Sequence, residues 1–187
     1  MKNCCTLLRI GKYIILIIAI IWFILIELFP AIKMPEIGWS GDEFIVEVET
    51  LKLINNIPNP PNENYIIFLG RYFPIAFDNK HGAMESYLML PFLFFGGATL
   101  VALRIGHIFW GIIILILSYY FGYRFFNSVV GTLSVILLVV NASFLNSIRT
   151  GGQYGHTLPI FSLISLLFFF KWHNERKELY FNLGVFF

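Results

Sequence analysis

Two adjacent carboxylates, Asp42 and Glu43, are the side chains of this sequence best suited to acid–base chemistry. They lie in a polar stretch, 36–87, that holds eight of the eleven acidic residues of the chain. A carboxylate held just above a bilayer can remove a proton from a hydroxyl or amine acceptor, which is the role of a general base. The alternative is a structural role, because acidic side chains near a helix start are stabilised by the helix dipole. The two roles are compatible, and the sequence leaves both open.

Basic side chains supply the second chemical feature of the sequence. Lys80 lies within the acidic stretch, and the predicted topology places Arg104 and Arg149 on the same outer side of the membrane. Cations at this depth can bind a lipid phosphate through charge-assisted hydrogen bonds. They can equally be anchors whose charged ends extend toward water. The remaining site candidates of this outer region are His81, Glu85 and Tyr154.

No familiar cofactor motif occurs in the sequence. It has no Cys/His spacing of a metal site, no glycine-rich phosphate loop, no Ser-His-Asp set and no Asp-x-Asp pair. We therefore predict no cofactor and no protein-bound metal site, and the sequence leaves a divalent metal open. The net charge is only +2 and no basic run is present, so nothing indicates a nucleic-acid partner.

The composition is that of an integral membrane protein. Hydrophobic residues make up 58% of the chain and charged residues only 13%, against roughly 25% charged residues in soluble domains. A last apolar run begins at 179 and is too short to cross about 30 Å of hydrocarbon. We therefore expect one membrane domain over 1–187 that is the N-terminal part of a longer protein. The predicted spans cover about 10–32, 102–121, 129–148 and 157–170.

The basic residues around the first span predict its orientation. Lys2, Arg9 and Lys12 precede it, and short tails rich in Lys and Arg stay in the cytoplasm. We therefore expect a plasma or cytoplasmic membrane protein with a cytoplasmic N-terminus. The loop 33–101 then lies outside.

The outer loop is predicted to contain a helix of its own. Ser40 and Glu43 have the spacing of a capping box. Apolar residues follow at helical spacing, so we expect an amphipathic helix on the membrane surface. The segment 83–95 is apolar but too short to span, and is expected to dip into the outer leaflet. The predicted fold is thus an all-α polytopic bundle with an outer-loop amphipathic helix. The apolar positions of that helix are Phe44, Val48, Leu51 and Ile54.

Several stretches, taken in order, resemble a known group of enzymes. They are Gly41-Asp42-Glu43, 80–87, 102–106, 123–126 and 147–154. Their order and spacing resemble the membrane glycosyltransferases of the GT-C fold. The similar members are the protein O-mannosyltransferases, the aminoarabinose transferases and the lipopolysaccharide core (RgtA/B/C/D-like) transferases.

This resemblance implies a reaction and gives roles to some residues. Such enzymes take a sugar from a polyprenyl-phosphate carrier and transfer it to a lipid, glycan or protein acceptor on the outer side. Asp42, with Glu43 beside it, matches the catalytic general base. Lys80 matches the position that holds the donor phosphate, with Arg149 as a second candidate, and Tyr154 lies near the active site.

The chain also departs from this group. Members of the group have more spans and usually a C-terminal outer domain, so the resemblance does not imply that these 187 residues are active alone. The alternative is a non-catalytic membrane protein that binds lipid headgroups, such as a flippase component or a decayed remnant.

Overall fold

The computed structural model is mostly helical and describes five stretches of the chain. These are 2–33, 41–57, 64–77, 81–150 and 157–187, with side chains described for 13–33, 45–57, 65–75, 83–150 and 157–187. The helices are α1 (Lys2–Lys33), α2 (Gly41–Asn55), α3 (Met84–Gly96), α4 (Leu100–Phe125), α5 (Ser128–Val140), α6 (Ala142–Thr150), α7 (Thr157–Glu175) and α8 (Glu178–Phe186). The strands are β1 (Asn64–Phe68), β2 (Arg71–Phe77) and β3 (His81–Gly82).

Two helices are long and apolar enough to cross a membrane. They are the part of α1 from Tyr13 to Lys33 and the whole of α4, close to the first two predicted spans. The third predicted span, 129–148, is divided into α5 and α6, which meet at an angle of 63°. The fourth predicted span, 157–170, is helical within α7. However, α7 is not one of the helices found to be long and apolar enough to cross a membrane. The membrane character of the chain therefore rests on α1 and α4, and a bundle of four spans stays a prediction.

A three-stranded antiparallel sheet corrects the all-α prediction. β2 pairs with β1 on one side and with β3 on the other. The β1–β2 turn is Leu69-Gly70, and both residues have positive φ, 52° and 73°. Two such residues give the turn a twist that matches that of paired strands. The flanking Ile and aromatic residues favour strands over helix.

A helix forms where the sequence predicts one after Ser40, as α2, but its buried residues are not those predicted. Val46, Glu49 and Thr50 are buried, and α2 packs against α3. The predicted apolar residues Val48 and Leu51 are only half-buried. The reason is that α3 and α4 offer α2 an apolar surface within the protein. The position of α2 relative to a membrane stays a prediction.

The end of α2 is fixed by Asn56, which has φ 54°. Asparagine is one of the few residues that tolerates this conformation after a helix. Its side chain accepts a hydrogen bond from the backbone N–H of Tyr72 at 3.0 Å and donates to the carbonyl of Gly70 at 3.3 Å. One side chain thereby joins the end of α2 to the β1–β2 hairpin.

The core is formed where α4 meets its neighbours. Phe23 and Leu115 are fully buried at the contact of α1 with α4, and Val135 of α5 joins them. Helices α4 and α5 pack very closely beside the turn that joins them. A Cβ added to Gly122 would lie only 2.7 Å from the Cα of Gly131. Small residues at such a crossing let two membrane helices approach and gain packing energy.

Candidate functional site

A buried ion pair joins the distant helices α1 and α6. The Nε of Arg149 donates a hydrogen bond to Oε2 of Glu27 at 3.1 Å. Arg104, at the start of α4, donates from Nη1 to the backbone carbonyl of Arg149. The residues Glu27, Arg104 and Arg149 are called the charged end below.

Glu27 lies on the core face of α1. The buried residues Ala19, Phe23, Glu27 and Ala31 recur every fourth position, which places them on one face of a helix. The carboxylate therefore lies in the protein interior, with only 1% of its side chain exposed. Burial of a charged carboxylate is costly unless a hydrogen-bonded cation accompanies it, and Arg149 supplies that cation.

Two helix caps place the arginines at this end. Thr99 begins α4, and its hydroxyl accepts a hydrogen bond from the N–H of Ala102 at 3.2 Å. Asn141 begins α6, and its side chain accepts from the N–H of Phe144 at 2.8 Å. The bend at Asn141 turns α6 so that Arg149, near its end, reaches Glu27.

The charged end encloses almost no free space. Its three charged residues, with Ile108 and Ile148, line a cavity of about 10 Å³, which is too small for anything beyond one water molecule. The side chain of Arg149 is nonetheless 35% exposed. One edge of its guanidinium is fixed by Glu27, and another part can still meet an anion arriving from outside.

More polar residues are buried where α3 meets α4 and α2. Glu85 and Ser86 are buried at the start of α3, and His107 is buried one turn after Arg104 on α4. The Thr50 hydroxyl lies 3.3 Å from the carbonyl of Ser86. Buried ionisable residues between apolar helices usually mark a functional site in a membrane protein.

The predicted site residues fall into two groups. Glu85, Arg104 and Arg149 have described side chains, and two of them, Arg104 and Arg149, are in direct contact. The backbone of Asp42 and Glu43 lies in the first turn of α2, as predicted, but their side chains lie outside the described residues. The same holds for the side chain of His81 in β3, and for the whole of Lys80 and Tyr154.

Glu27 is the residue that the sequence reasoning missed. In the sequence it is the only charged residue of the apolar run 13–29. That interruption was itself the signal, because a lone carboxylate inside a membrane span needs a partner. The partner is 122 residues away, so no local pattern names it.

Within the described ranges, no group of three His, Cys, Asp or Glu side chains could hold a metal ion. Comparison with protein-family models, with curated proteins and with solved structures gives no match for this chain. The resemblance to GT-C transferases therefore rests on the sequence stretches quoted above.

Proposed function

We propose that this chain is a membrane glycosyltransferase, or the N-terminal part of one, that uses a polyprenyl-phosphate sugar on the extracytoplasmic side. The observation that supports this proposal is the charged end, where Glu27 holds Arg149 and Arg104 contacts the same residue. Cationic groups fixed in this way can stabilise the negative charge that a phosphate leaving group develops. Holding them in advance reduces the cost of reorganisation during transfer.

The packing of α2 supports a link between Asp42 and this end. Val46 belongs to an apolar cluster with Leu103, and Leu103 immediately precedes Arg104. Asp42 comes four residues before Val46, one helical turn nearer the start of α2. In the proposed reaction Asp42 deprotonates the acceptor hydroxyl or amine. The sugar then transfers with inversion while Lys80 and Arg149 bind the donor phosphate.

The role of Asp42 can be tested by replacing it with asparagine in the full-length protein. Loss of a general base typically lowers the rate by about 10²–10⁴-fold. The assay measures transfer from a radiolabelled polyprenyl-phosphate sugar in proteoliposomes. Glu47→Gln is the matched control, because Glu47 lies on the same helix and is half-buried. An Asp42→Asn variant as active as the wild type would refute the proposal.

The proposal also requires a defined topology, with the N-terminus in the cytoplasm. A cysteine placed at Asn62 should then react with an impermeant maleimide added outside intact cells. A cysteine at Asn127, in the α4–α5 turn, should react only after permeabilisation. The opposite pattern would place the charged end on the cytoplasmic side and exclude an extracytoplasmic reaction.

A second candidate function is static headgroup binding without chemistry. The 35% exposure of the Arg149 side chain favours it, because an exposed cation can pair with a headgroup phosphate while the cavity of about 10 Å³ stays too small for a sugar phosphate. In that case the Arg149→Gln variant would lose binding to anionic vesicles. No sugar would be transferred by the wild type from any polyprenyl-phosphate donor supplied.

A further inference from the structure

A large cleft in the described part of the chain lies far from the charged end. It has a volume of about 620 Å³ and opens between the last turns of α4 and α7. This volume is within the usual range for small-molecule sites, roughly 300–1,000 Å³. Its lining divides into a polar edge with Arg124, Lys171 and Asn174 and an apolar wall with Ile164, Leu167 and Phe168.

The cleft lies where two apolar helices become polar. Arg124 is in the last turn of α4, and Lys171 directly follows the apolar run of α7. Tyr120 lines the same cleft and is half exposed, and Trp172 comes next after Lys171. Tyrosine, tryptophan and basic residues concentrate at the level of lipid headgroups. The position of the cleft at headgroup level therefore favours a lipid over a wholly soluble ligand.

The charges of the cleft favour an anion. Arg124 is exposed and lines the cleft. Glu175 also lines the cleft, but its carboxylate is 3.1 Å from the ammonium of Lys177, whose hydrogen bond holds the pKa of Glu175 below its ordinary value. The negative charge of the cleft is thereby neutralised by a cation outside its lining.

Lys171 is fixed in place by α8. Its ammonium lies 4.2 Å from the ring centre of Tyr180, and α8 packs along α7 through the hydrogen bond from the Ser165 hydroxyl to the Gly184 carbonyl at 2.6 Å. An ammonium has three donors, so a cation over a ring keeps donors for an anion. A lysine whose only role was to extend toward water would not need the contact with Tyr180.

We propose that this cleft binds one anionic phospholipid. Its phosphate lies between Arg124 and Lys171, with the Asn174 amide as a further donor. An acyl chain lies along Ile164, Leu167 and Phe168. This site is independent of the proposed transferase reaction, since it lies at the opposite end of α4 from Arg104.

The test is lipid binding to the purified full chain, measured by native mass spectrometry with phosphatidylglycerol and phosphatidylcholine. Phosphatidylglycerol should bind roughly tenfold more tightly, a difference of about 1.4 kcal/mol. Both lipids carry the phosphate, but the choline cation of phosphatidylcholine cancels its charge and is repelled by Arg124 and Lys171. The double variant Arg124→Gln/Lys171→Gln should lose this preference. Arg124→Lys/Lys171→Arg should keep it, because both charges remain.

Arg176→Gln is the matched control. Arg176 is an exposed cation at the same end, stacked 5.5 Å from the Trp172 ring, and does not line the cleft. If Arg176→Gln lost the preference for phosphatidylglycerol to the same extent, that preference would come from general surface charge. The proposal would then be overturned. Displacement of the lipid by millimolar inorganic phosphate would also overturn it, because the site would then bind a free anion.

A measurement on the wild type alone covers the case in which the double variant does not fold. Phosphatidylglycerol carrying a photoreactive group on its acyl chain should label the peptide that contains Ile164, Leu167 and Phe168. Labelling confined to other helices would refute the assignment. Labelling of this peptide that a tenfold excess of phosphatidylcholine abolishes would refute the preference for an anionic headgroup.

Discussion

Arg104 at the start of α4 is 4% exposed and donates to the carbonyl of Arg149, whereas Arg124 in its last turn is exposed and lines an open cleft. The same side-chain type therefore serves two purposes on one helix. At the charged end Arg104 is buried and Arg149 partly buried, and the two join α1, α4 and α6. At the cleft end the cations face outward, and the contact between helices is apolar.

The difference follows from what each environment does to a charge. A buried charge loses its water and must recover that free energy from a partner with good geometry. An exposed charge keeps its water, and a partner adds little. The charged end therefore depends on charge pairing for stability, and the cleft end depends on close packing. Variants at the two ends can test this contrast directly.

The largest effect is expected from Arg149→Met. It leaves Glu27 buried without its cation, and removal of one partner of a buried pair costs about 3–5 kcal/mol. Glu27→Leu should cost less, because the remaining arginine is 35% exposed and can reach water. Equilibrium unfolding in detergent micelles measures both values.

The double variant Glu27→Leu/Arg149→Met separates the effect of charge on stability from the effect of side-chain shape. It removes both charges, so it should be clearly more stable than Arg149→Met alone. Lys177→Met is the control at the other end, where the pair is exposed, and should leave the unfolding midpoint unchanged. Equal destabilisation by Lys177→Met and Arg149→Met would remove the contrast between the ends.

A smaller effect is expected from Gly122→Ala, which tests packing at the cleft end. The added Cβ would lie 2.7 Å from the backbone of Gly131, and such overpacking costs about 1–3 kcal/mol. Gly184→Ala is the matched control, because its nearest neighbour is the ring of Phe169 at 3.2 Å. A ring can shift slightly, so this variant should unfold near the wild-type midpoint. Gly122→Ala with wild-type stability would show that α4 and α5 are not closely packed.

Trp110→Phe should have a milder effect near the charged end. The indole N–H donates to the carbonyl of Leu88 at 3.1 Å and holds α3 against α4. Loss of one such hydrogen bond costs about 1 kcal/mol. The unfolding midpoint in detergent measures it, and Ile116→Val, at an exposed side chain on the same helix, is the control. A larger loss for Ile116→Val would argue against this hydrogen bond as the main link.

The smallest expected effect is on the titration of Glu175. Its pKa is lowered mainly by the hydrogen bond with Lys177, so Lys177→Gln should raise it toward the ordinary value. The contribution of the pair is present above the ordinary carboxyl pKa and disappears as the pH falls through the lowered value. Carbon NMR of labelled glutamate measures the shift. An unchanged pKa in Lys177→Gln would contradict the pairing.

The sequence predicted the helices better than their contacts. Long apolar runs gave α4, the short helix α3 and the end of α1 close to their observed limits, because burial in apolar surroundings requires an internally hydrogen-bonded backbone. The β1–β2 hairpin was missed, since its β1 residues from Tyr65 to Phe68 are all exposed. Without one buried face, a strand shows no alternation of polar and apolar residues.

The candidate site was predicted only in part. Arg104 and Arg149 were placed on one side, and the structure brings them into contact. Neither their partner Glu27 nor the bend at Asn141 followed from local patterns. The bend at Asn141 could not be predicted from the apolar run 129–148, because hydropathy depends on composition and carries no information on the direction of a helix. Asp42, Lys80 and Tyr154 stay predictions as members of the site.

The bend at Asn141 also has a mechanical consequence. The nine residues of α6 form a rigid arm of about 13 Å at 1.5 Å per residue. A swing of roughly 10° about Asn141 would move the far end of this arm by about 2 Å. That displacement is enough to separate Arg149 from Glu27 and widen the cavity between them. In such a swing Asn141 would be the pivot, and a small rotation there would give a larger displacement at the charged end.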